Sequence, residues 1–391
     1  MKIILTFLIL IIVFKAQGQE IKDIIEKSIA EIDKIESFEY IEISKGTAAF
    51  DTTEFVSEYL SKVIGVSNIQ DTIIGYNYIS NWRDTSKVYS VYNFDYEVNF
   101  NWDSKSVEII DYSEHLDLRL TNYAPFYVKA RTLLDFGLYG NQAKLNIESN
   151  TNDTIVLFIN FPKNRYEFQG KIVSKQSRDG YAWSNYTVWI DKKSFLPVKI
   201  LRKNEYHKSI REILSYKINS RPNYKINALE SIPENFSIYE YGKSRKPSNL
   251  VGKAAPDFKL LSATQDSISL SDYFGKVVLI EFTSIGCGPC QLAIPELDKL
   301  YSEYDKNKFE ILSVESYLFN RNDVFQRYIT KKGITYPFLV GNREITDLYK
   351  IFGVPYFLII DKKGIIQGTY SGFTKEETVP KIKKSIEILL K

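Results

Sequence analysis

Ile21, Ile24, Ile25, Ile29, Ile32 and Ile35 recur near helical spacing, with Asp, Glu and Lys between them. This pattern predicts an amphipathic helix. From Phe38 to about Asn219 the texture changes. Short segments rich in Ile, Val, Tyr, Phe and Thr alternate with polar residues and end in Asn, Asp or Gly. Glu39–Ser44, Thr72–Ser80, Lys87–Tyr92, Ser106–Asp111, Thr154–Asn160, Thr187–Ile190, Pro197–Arg202 and Ile210–Ile218 read as antiparallel strands. One interruption, Tyr123 to Tyr139, has Phe126, Ala130, Leu133, Leu134 and Leu138 at helical offsets, which predicts a helix packed on the sheet. Apolar periodicity fades over residues 221–249, around Pro222, Pro233 and the run Gly242-Lys243-Ser244-Arg245-Lys246-Pro247-Ser248-Asn249. A domain boundary is expected near residue 245.

Beyond it, strands and helices alternate. Val277–Phe282 is an apolar strand broken only by Glu281, and Leu297, Leu300, Tyr301 and Tyr304 mark a helix. Phe309–Val314 reads as a strand and Val324–Ile329 as part of a helix. Tyr356–Ile360 turns through Asp361-Lys362-Lys363-Gly364 into Ile365–Tyr370, and a helix from about Lys375 follows. This order predicts an α/β sheet with helices on both faces at residues 246–391. Residues 19–245 are expected to form a mainly antiparallel β (α+β) domain.

A length of 391 residues agrees with two domains, and a 44% hydrophobic fraction suffices for ordinary cores. The net charge of +3 is too slight to argue for nucleic acid. Residues 1–18 have the pattern of a secretory signal: Lys2, the apolar run Ile3 to Phe14, then small residues in Ala16-Gln17-Gly18. The alternative is an uncleaved anchor, but the run is short for a membrane span. No cysteine lies near the expected cleavage site, so no lipid anchor is expected there. The expected address is the periplasm or cell envelope.

The only two cysteines are Cys287 and Cys290, separated by Gly288-Pro289. They fall between the predicted strand and the predicted helix, the context of a redox C-x-x-C. A helix N-terminus favours an anion, so Cys287 is suited to be the attacking thiolate. Cys290, one turn further in, is suited to close the disulfide. Two other readings compete with this one. A zinc site needs further ligands, and His115 and His207 lie far upstream. Two buried structural thiols would leave Gly-Pro between them without a purpose.

Residues 250–391 resemble the TlpA-like branch of the thioredoxin superfamily, the envelope thiol–disulfide oxidoreductases. The resemblance rests on Val251-Gly252-Lys253-Ala254-Ala255-Pro256-Asp257-Phe258, on Leu270-Ser271-Asp272-Tyr273-Phe274-Gly275-Lys276 before the strand, on the C-x-x-C, on Pro295 in the helix and on Gly353-Val354-Pro355. It implies a cis bond before Pro355. It also implies that the Val354 backbone receives an extended substrate strand. At Glu281 thioredoxins carry a buried carboxylate that handles the proton of the second cysteine; the bland reading is a strand-end charge. Two positions depart from the pattern. Gly286 stands where an aromatic usually precedes the first cysteine, and Ala293 stands where many relatives carry glutamate. Residues 20–220 resemble the LolA-like lipoprotein-carrier fold in element order and in Trp189-Ile190-Asp191-Lys192-Lys193-Ser194-Phe195-Leu196-Pro197-Val198. That implies a concave face able to hold an apolar ligand, against the alternative of a scaffold.

The resulting expectation is a disulfide reductase acting on protein or peptide disulfides, fed by a membrane electron donor. No metal or organic cofactor is expected beyond the Cys287–Cys290 disulfide. The alternatives are a peroxiredoxin-like peroxidase and a lipid- or peptide-binding protein with an accessory redox domain. Ser284 sits three before Cys287 as a peroxidase frame requires, but Ile280 occupies that frame's proline position.

Overall fold

In the computed structural model the chain divides into two compact units, Met1–Lys246 and Pro247–Lys391. The structure describes all residues except 1, 48–51, 83, 103, 121–123, 141, 177–181, 206, 242–249, 318–321 and 352, and describes residues 2–17, 82, 117, 120, 169, 176, 322 and 323 without their side chains. The polar run expected to link the domains, residues 242–249, lies outside the described residues.

The N-terminal unit is built on a twelve-stranded sheet. Its order is Ser237–Glu240, Ser106–Asp111, Tyr96–Asn101, Ser90–Tyr92, Tyr76–Trp82, Phe55–Ser67, Ser37–Thr47, Lys208–Ile218, Pro197–Asn204, Ser184–Asp191, Thr154–Phe161, Lys144–Asn150. The expected antiparallel texture is there, with one parallel pair at the edge, Ser237–Glu240 beside Ser106–Asp111. Two meanders meet where Ser37–Thr47 pairs with Lys208–Ile218, joining residues about 180 apart in sequence. Arg165–Gln169 and Ile172–Gln176 form a separate hairpin.

The first helix is longer than the isoleucine pattern implied. It runs Lys2–Asp33, because the apolar run ahead of Ile21 is also helix-compatible. Its Ile21, Ile24, Ile25 and Ile32 share one core with Phe126, Leu133 and Leu134 of the second helix, Phe126–Tyr139, and with Phe38, Tyr40 and Tyr186 of the sheet. Among the described residues no helix is long and apolar enough to cross a membrane. A helix, an antiparallel sheet and a second helix thus share one core in this unit.

The C-terminal unit holds a seven-stranded sheet in the order Ser267–Ser269, Lys259–Ser262, Phe338–Val340, Phe309–Glu315, Val277–Thr283, Tyr356–Ile360, Ile366–Ser371. Val277–Thr283 is parallel to Phe309–Glu315 and antiparallel to Tyr356–Ile360. All seven residues of each of the first two strands are buried. Strands covered on both faces read as continuous apolar runs, as these two do apart from Glu281, Thr283, Glu310, Ser313 and Glu315. Helices Gly288–Glu303, Asn322–Lys332, Arg343–Leu348 and Thr378–Leu390 complete the unit. The first of these delivers the cysteines. Pro295 lies inside it, removing the N–H that would bond the Gln291 carbonyl.

One contact in the N-terminal sheet can be tested directly. Gly65 is the cross-strand partner of Phe38, and a Cβ built on Gly65 falls about 2.2 Å from the Phe38 ring. The ring occupies the space that a side chain would need. Gly65→Ala should therefore destabilise this unit by about 1–3 kcal/mol through overpacking. Adding Phe38→Leu should recover part of the loss. All four tryptophans lie before residue 190, so tryptophan fluorescence during urea unfolding reports on this unit. An unchanged midpoint in Gly65→Ala would contradict the assigned register.

Candidate active site

Cys287 ends the loop that leaves the central strand, and the helix Gly288–Glu303 starts one residue later. Its backbone is extended, and its sulfur accepts the Cys290 N–H at 3.1 Å. Cys287 is therefore the N-cap, with Pro289 in the first turn where a missing N–H costs nothing. Cys287 and Cys290 form a disulfide. Their exposures differ: Cys290 is fully buried, and Cys287 is half-buried. Only one sulfur of the pair is open to a partner.

The Val354–Pro355 peptide is cis. The Val354 carbonyl oxygen lies 3.6 Å from Cys287 Sγ. In the disulfide state that sulfur carries no hydrogen, and only the reduced thiol could donate across this gap. The Pro355 carbonyl is engaged elsewhere, accepting the Gly372 N–H at 2.9 Å. Gly286 is exposed, and a Cβ there would meet only Ser284 Oγ, at 4.0 Å.

Glu281 stands in the middle of the sheet, 1% exposed, between Ser313 on one neighbouring strand and Phe357 on the other. The Ser313 hydroxyl donates to its Oε2, while Oε1 has no hydrogen-bond partner. Burial pushes the carboxyl up to about 7, the Ser313 and Thr283 hydroxyls oppose that rise, and the charge of Glu315 adds to it. The carboxyl thus titrates where a thiol proton can be exchanged at neutral pH. It makes no hydrogen bond to either sulfur in the disulfide state.

Two residues not anticipated from the sequence hold the loop before Cys287. Glu315, fully buried at the end of Phe309–Glu315, accepts the Ile285 N–H on Oε2 at 2.8 Å and the Tyr317 N–H on Oε1 at 3.0 Å. Gln291, one residue past Cys290, donates from Nε2 to the Ile285 carbonyl at 2.8 Å. The Ile285 residue is thus held at its N–H and at its C=O by two buried side chains. Ending the expected strand at Val314 left Glu315 outside it. The signal that singled out Glu281, a carboxylate in an apolar strand, applies equally to Glu315.

The structure brings Cys287, Cys290 and Val354 together, with Gly286 adjacent in the chain and Pro355 buried behind the cis bond. Glu281 is placed within the strand that leads to them. His115 and His207 both lie in the N-terminal unit.

Comparison with known proteins agrees with this geometry. The AhpC/TSA family model matches residues 251–369. The thiol-disulfide oxidoreductase ResA of Oceanobacillus iheyensis is 33% identical over 142 residues, which are 35% of this chain and 73% of that protein. The ResA of Geobacillus kaustophilus is 28% identical over 153 residues, 39% of this chain and 87% of the relative. The solved thioredoxin domain of a thiol-disulfide oxidoreductase from Bacteroides vulgatus is 23% identical and covers 36% of this chain and 99% of its own, with a TM-score of 0.33. With a strand–C-x-x-C–helix site in place and a ResA protein matched at this level, the chain belongs, through its C-terminal unit, to the TlpA-like thiol–disulfide oxidoreductases of the thioredoxin superfamily.

Proposed function

We propose that this oxidoreductase is a cell-envelope reductase of protein or peptide disulfides. The observation that carries the reading is the asymmetry of the pair: Cys287 is half-exposed at a helix N-terminus, and Cys290 is fully buried one turn on. In the reduced protein, the Cys287 thiolate attacks one sulfur of the substrate disulfide. A Cys287–substrate bond forms, the substrate S–S bond breaks, and the first substrate thiolate leaves. The Cys290 thiol then gives its proton to Glu281 and attacks Cys287 Sγ. The second substrate thiolate leaves, and the Cys287–Cys290 disulfide of this structure results. Substrate gains two electrons, which a membrane donor must return to the pair. Lys2 followed by the apolar run Ile3 to Phe14 supports export. The Val354 backbone beside Cys287 supports an extended substrate strand docking there.

The AhpC/TSA match favours one second reading, a peroxidase in which Cys287 reduces a peroxide. Consumption of hydrogen peroxide without any dithiol substrate would support it. The buried Cys290 within one helical turn supports the dithiol reading instead.

The first prediction assigns the cysteines. Cys290→Ala keeps the attacking sulfur and removes the resolving one. Expressed in its own cell envelope, that variant should accumulate mixed disulfides on Cys287, visible on a non-reducing gel and identifiable by mass spectrometry. Cys287→Ala should accumulate none. Adducts confined to Cys290 would reverse the roles, and absence of adducts together with no reduction of a model disulfide by wild type would sink the reading.

The second concerns Glu281. Glu281→Gln should slow release of the mixed disulfide by on the order of 10²-fold, and its formation much less. Stability should move the opposite way. The folded carboxyl holds its proton up to about pH 7, whereas the unfolded one loses it near 4.5. The native state therefore binds more protons across that window, and stability falls as pH rises through it. Below the window the carboxyl adds no penalty, and above it the full penalty applies. Glu281→Gln removes this penalty, so the variant should gain on the order of 3 kcal/mol relative to wild type above pH 7. That gain should shrink toward zero near pH 4. Urea unfolding at the two pH values checks it, and equal differences at both would show that Glu281 is not held protonated.

A further inference from the structure

The two central parallel strands of this unit carry three buried carboxylates: Glu281 and Glu315, and Glu310, which strand alternation puts on the other face. Glu281 pairs with Ser313, and Thr283 pairs with Glu315. Residues two apart on a strand share a face, so the carboxyl groups of Glu281 and Glu315 lie diagonally across one face of the sheet. Burial is the larger reason Glu281 holds a proton, and the charge of Glu315 on the same face adds to it. The hydrogen bonds favour one of the two as the carrier.

Glu315 receives backbone N–H groups on both oxygens, from Ile285 at 2.8 Å and from Tyr317 at 3.0 Å. Backbone N–H groups can only donate. A neutral acid would have to turn its O–H oxygen, a weak acceptor, toward one of them, so these bonds favour the ionised form. Glu281 has the opposite surroundings. One oxygen meets the Ser313 hydroxyl, which can donate or accept, the other has no hydrogen-bond partner, and the only further hydroxyl acting on the carboxyl among the described residues is that of Thr283. A proton is easily held there. Among the described residues, Tyr328 of the helix Asn322–Lys332 faces both carboxyls, and Tyr336, in the segment before Phe338–Val340, faces Glu281. Both are held neutral by burial.

We propose that Glu315 is a positioning residue for the exchange reaction: ionised at rest, it fixes the Ile285 peptide ahead of Cys287 and, by its charge, assigns the proton of the buried pair to Glu281. This rests on the reductase reading above and deepens it. In the oxidised protein Glu281 then holds the proton; it gives it to the Cys290 thiolate when the disulfide is reduced, and as a carboxylate it takes the proton back when Cys290 resolves the mixed disulfide. Glu315 also holds the loop that carries the attacking sulfur, through the Ile285 N–H, while Gln291 holds the Ile285 carbonyl.

The test uses the full-length oxidised protein and infrared spectra in the protonated-carboxyl region, from about pH 5 to about pH 9. Wild type should show one protonated carboxyl stretch that disappears near neutral pH. Glu281→Gln should abolish it. Glu315→Gln should keep it but move its midpoint down by about one pH unit, because the neighbouring charge is gone. The Glu315→Gln variant should also slow the reaction of reduced Cys287 with a small aromatic disulfide by about tenfold, since Gln can accept only on its carbonyl oxygen and misplaces the loop. A stretch that survives in Glu281→Gln puts the proton on Glu315 and overturns the proposal. So does a wild-type spectrum without the stretch, or a midpoint and attack rate unmoved in Glu315→Gln. Should Glu315→Gln fail to fold, the wild-type and Glu281→Gln spectra still locate the proton. The spectra need no turnover, so they stand apart from failure of wild type to reduce a model disulfide, which would count against the reductase reading itself.

Discussion

Val277–Thr283 is buried along its whole length and paired on both edges, so no water serves its polar groups. Every backbone N–H and C=O in it must find its partner inside the protein. The ladder meets this demand as far as Thr283, whose carbonyl accepts the Ser316 N–H at 2.9 Å. Past that point the chain leaves the sheet, and the ladder can no longer serve the Ile285 peptide. Buried side chains take over, Glu315 for the N–H and Gln291 for the carbonyl. The polar residues of the site are thus set where the sheet's own hydrogen bonding stops, at the carboxyl ends of two parallel strands. Open α/β sheets use that region for chemistry for the same reason.

Much of the C-terminal unit was legible because its signals are local. A C-x-x-C between an apolar strand and a helical stripe needs no tertiary information, nor does an acidic residue inside an apolar strand. The elements that were missed are short. Phe338–Val340 has three residues and Arg343–Leu348 six, too few for a period to repeat. Lys259–Ser262 and Ser267–Ser269 are similarly brief. The clamp on Ile285 was hidden for another reason. It joins residues 285, 291 and 315, and only the fold makes them neighbours.

In the N-terminal unit the strands that escaped the pattern are those whose partners supply what their own sequence lacks. Phe55–Ser67 buries Ser61, Val63 and Gly65, so two of its three inward positions are not large and apolar. The ring of Phe38 fills the gap at Gly65 from the neighbouring strand. Ser237–Glu240 exposes all four residues and is a strand only because Ser106–Asp111 lies beside it. Lys144–Asn150, at the other edge, is nearly all exposed or half-exposed. Edge strands carry polar side chains because one flank stays open, which erases the alternation that marks a strand in sequence. Interior strands such as Thr154–Phe161 keep it, with every second residue buried.

The surface around Cys287 follows from small residues. Gly286, Gly288 and Gly353 are exposed, and a Cβ at Gly288 or Gly353 would meet nothing within 4 Å. None of the three lies in the left-handed region that demands glycine. Neither backbone conformation nor packing therefore requires glycine at these positions, and larger side chains would fit in the space available. What their absence does is leave main chain uncovered on both flanks of the half-exposed sulfur. Main-chain hydrogen bonding to an extended partner is insensitive to the partner's sequence. On the proposed reading, a site lined this way would gain affinity from the backbone of the docked segment and little discrimination from side chains beside the sulfur, so selection among disulfides would rest on features of the partner beyond the residues that flank its cysteine.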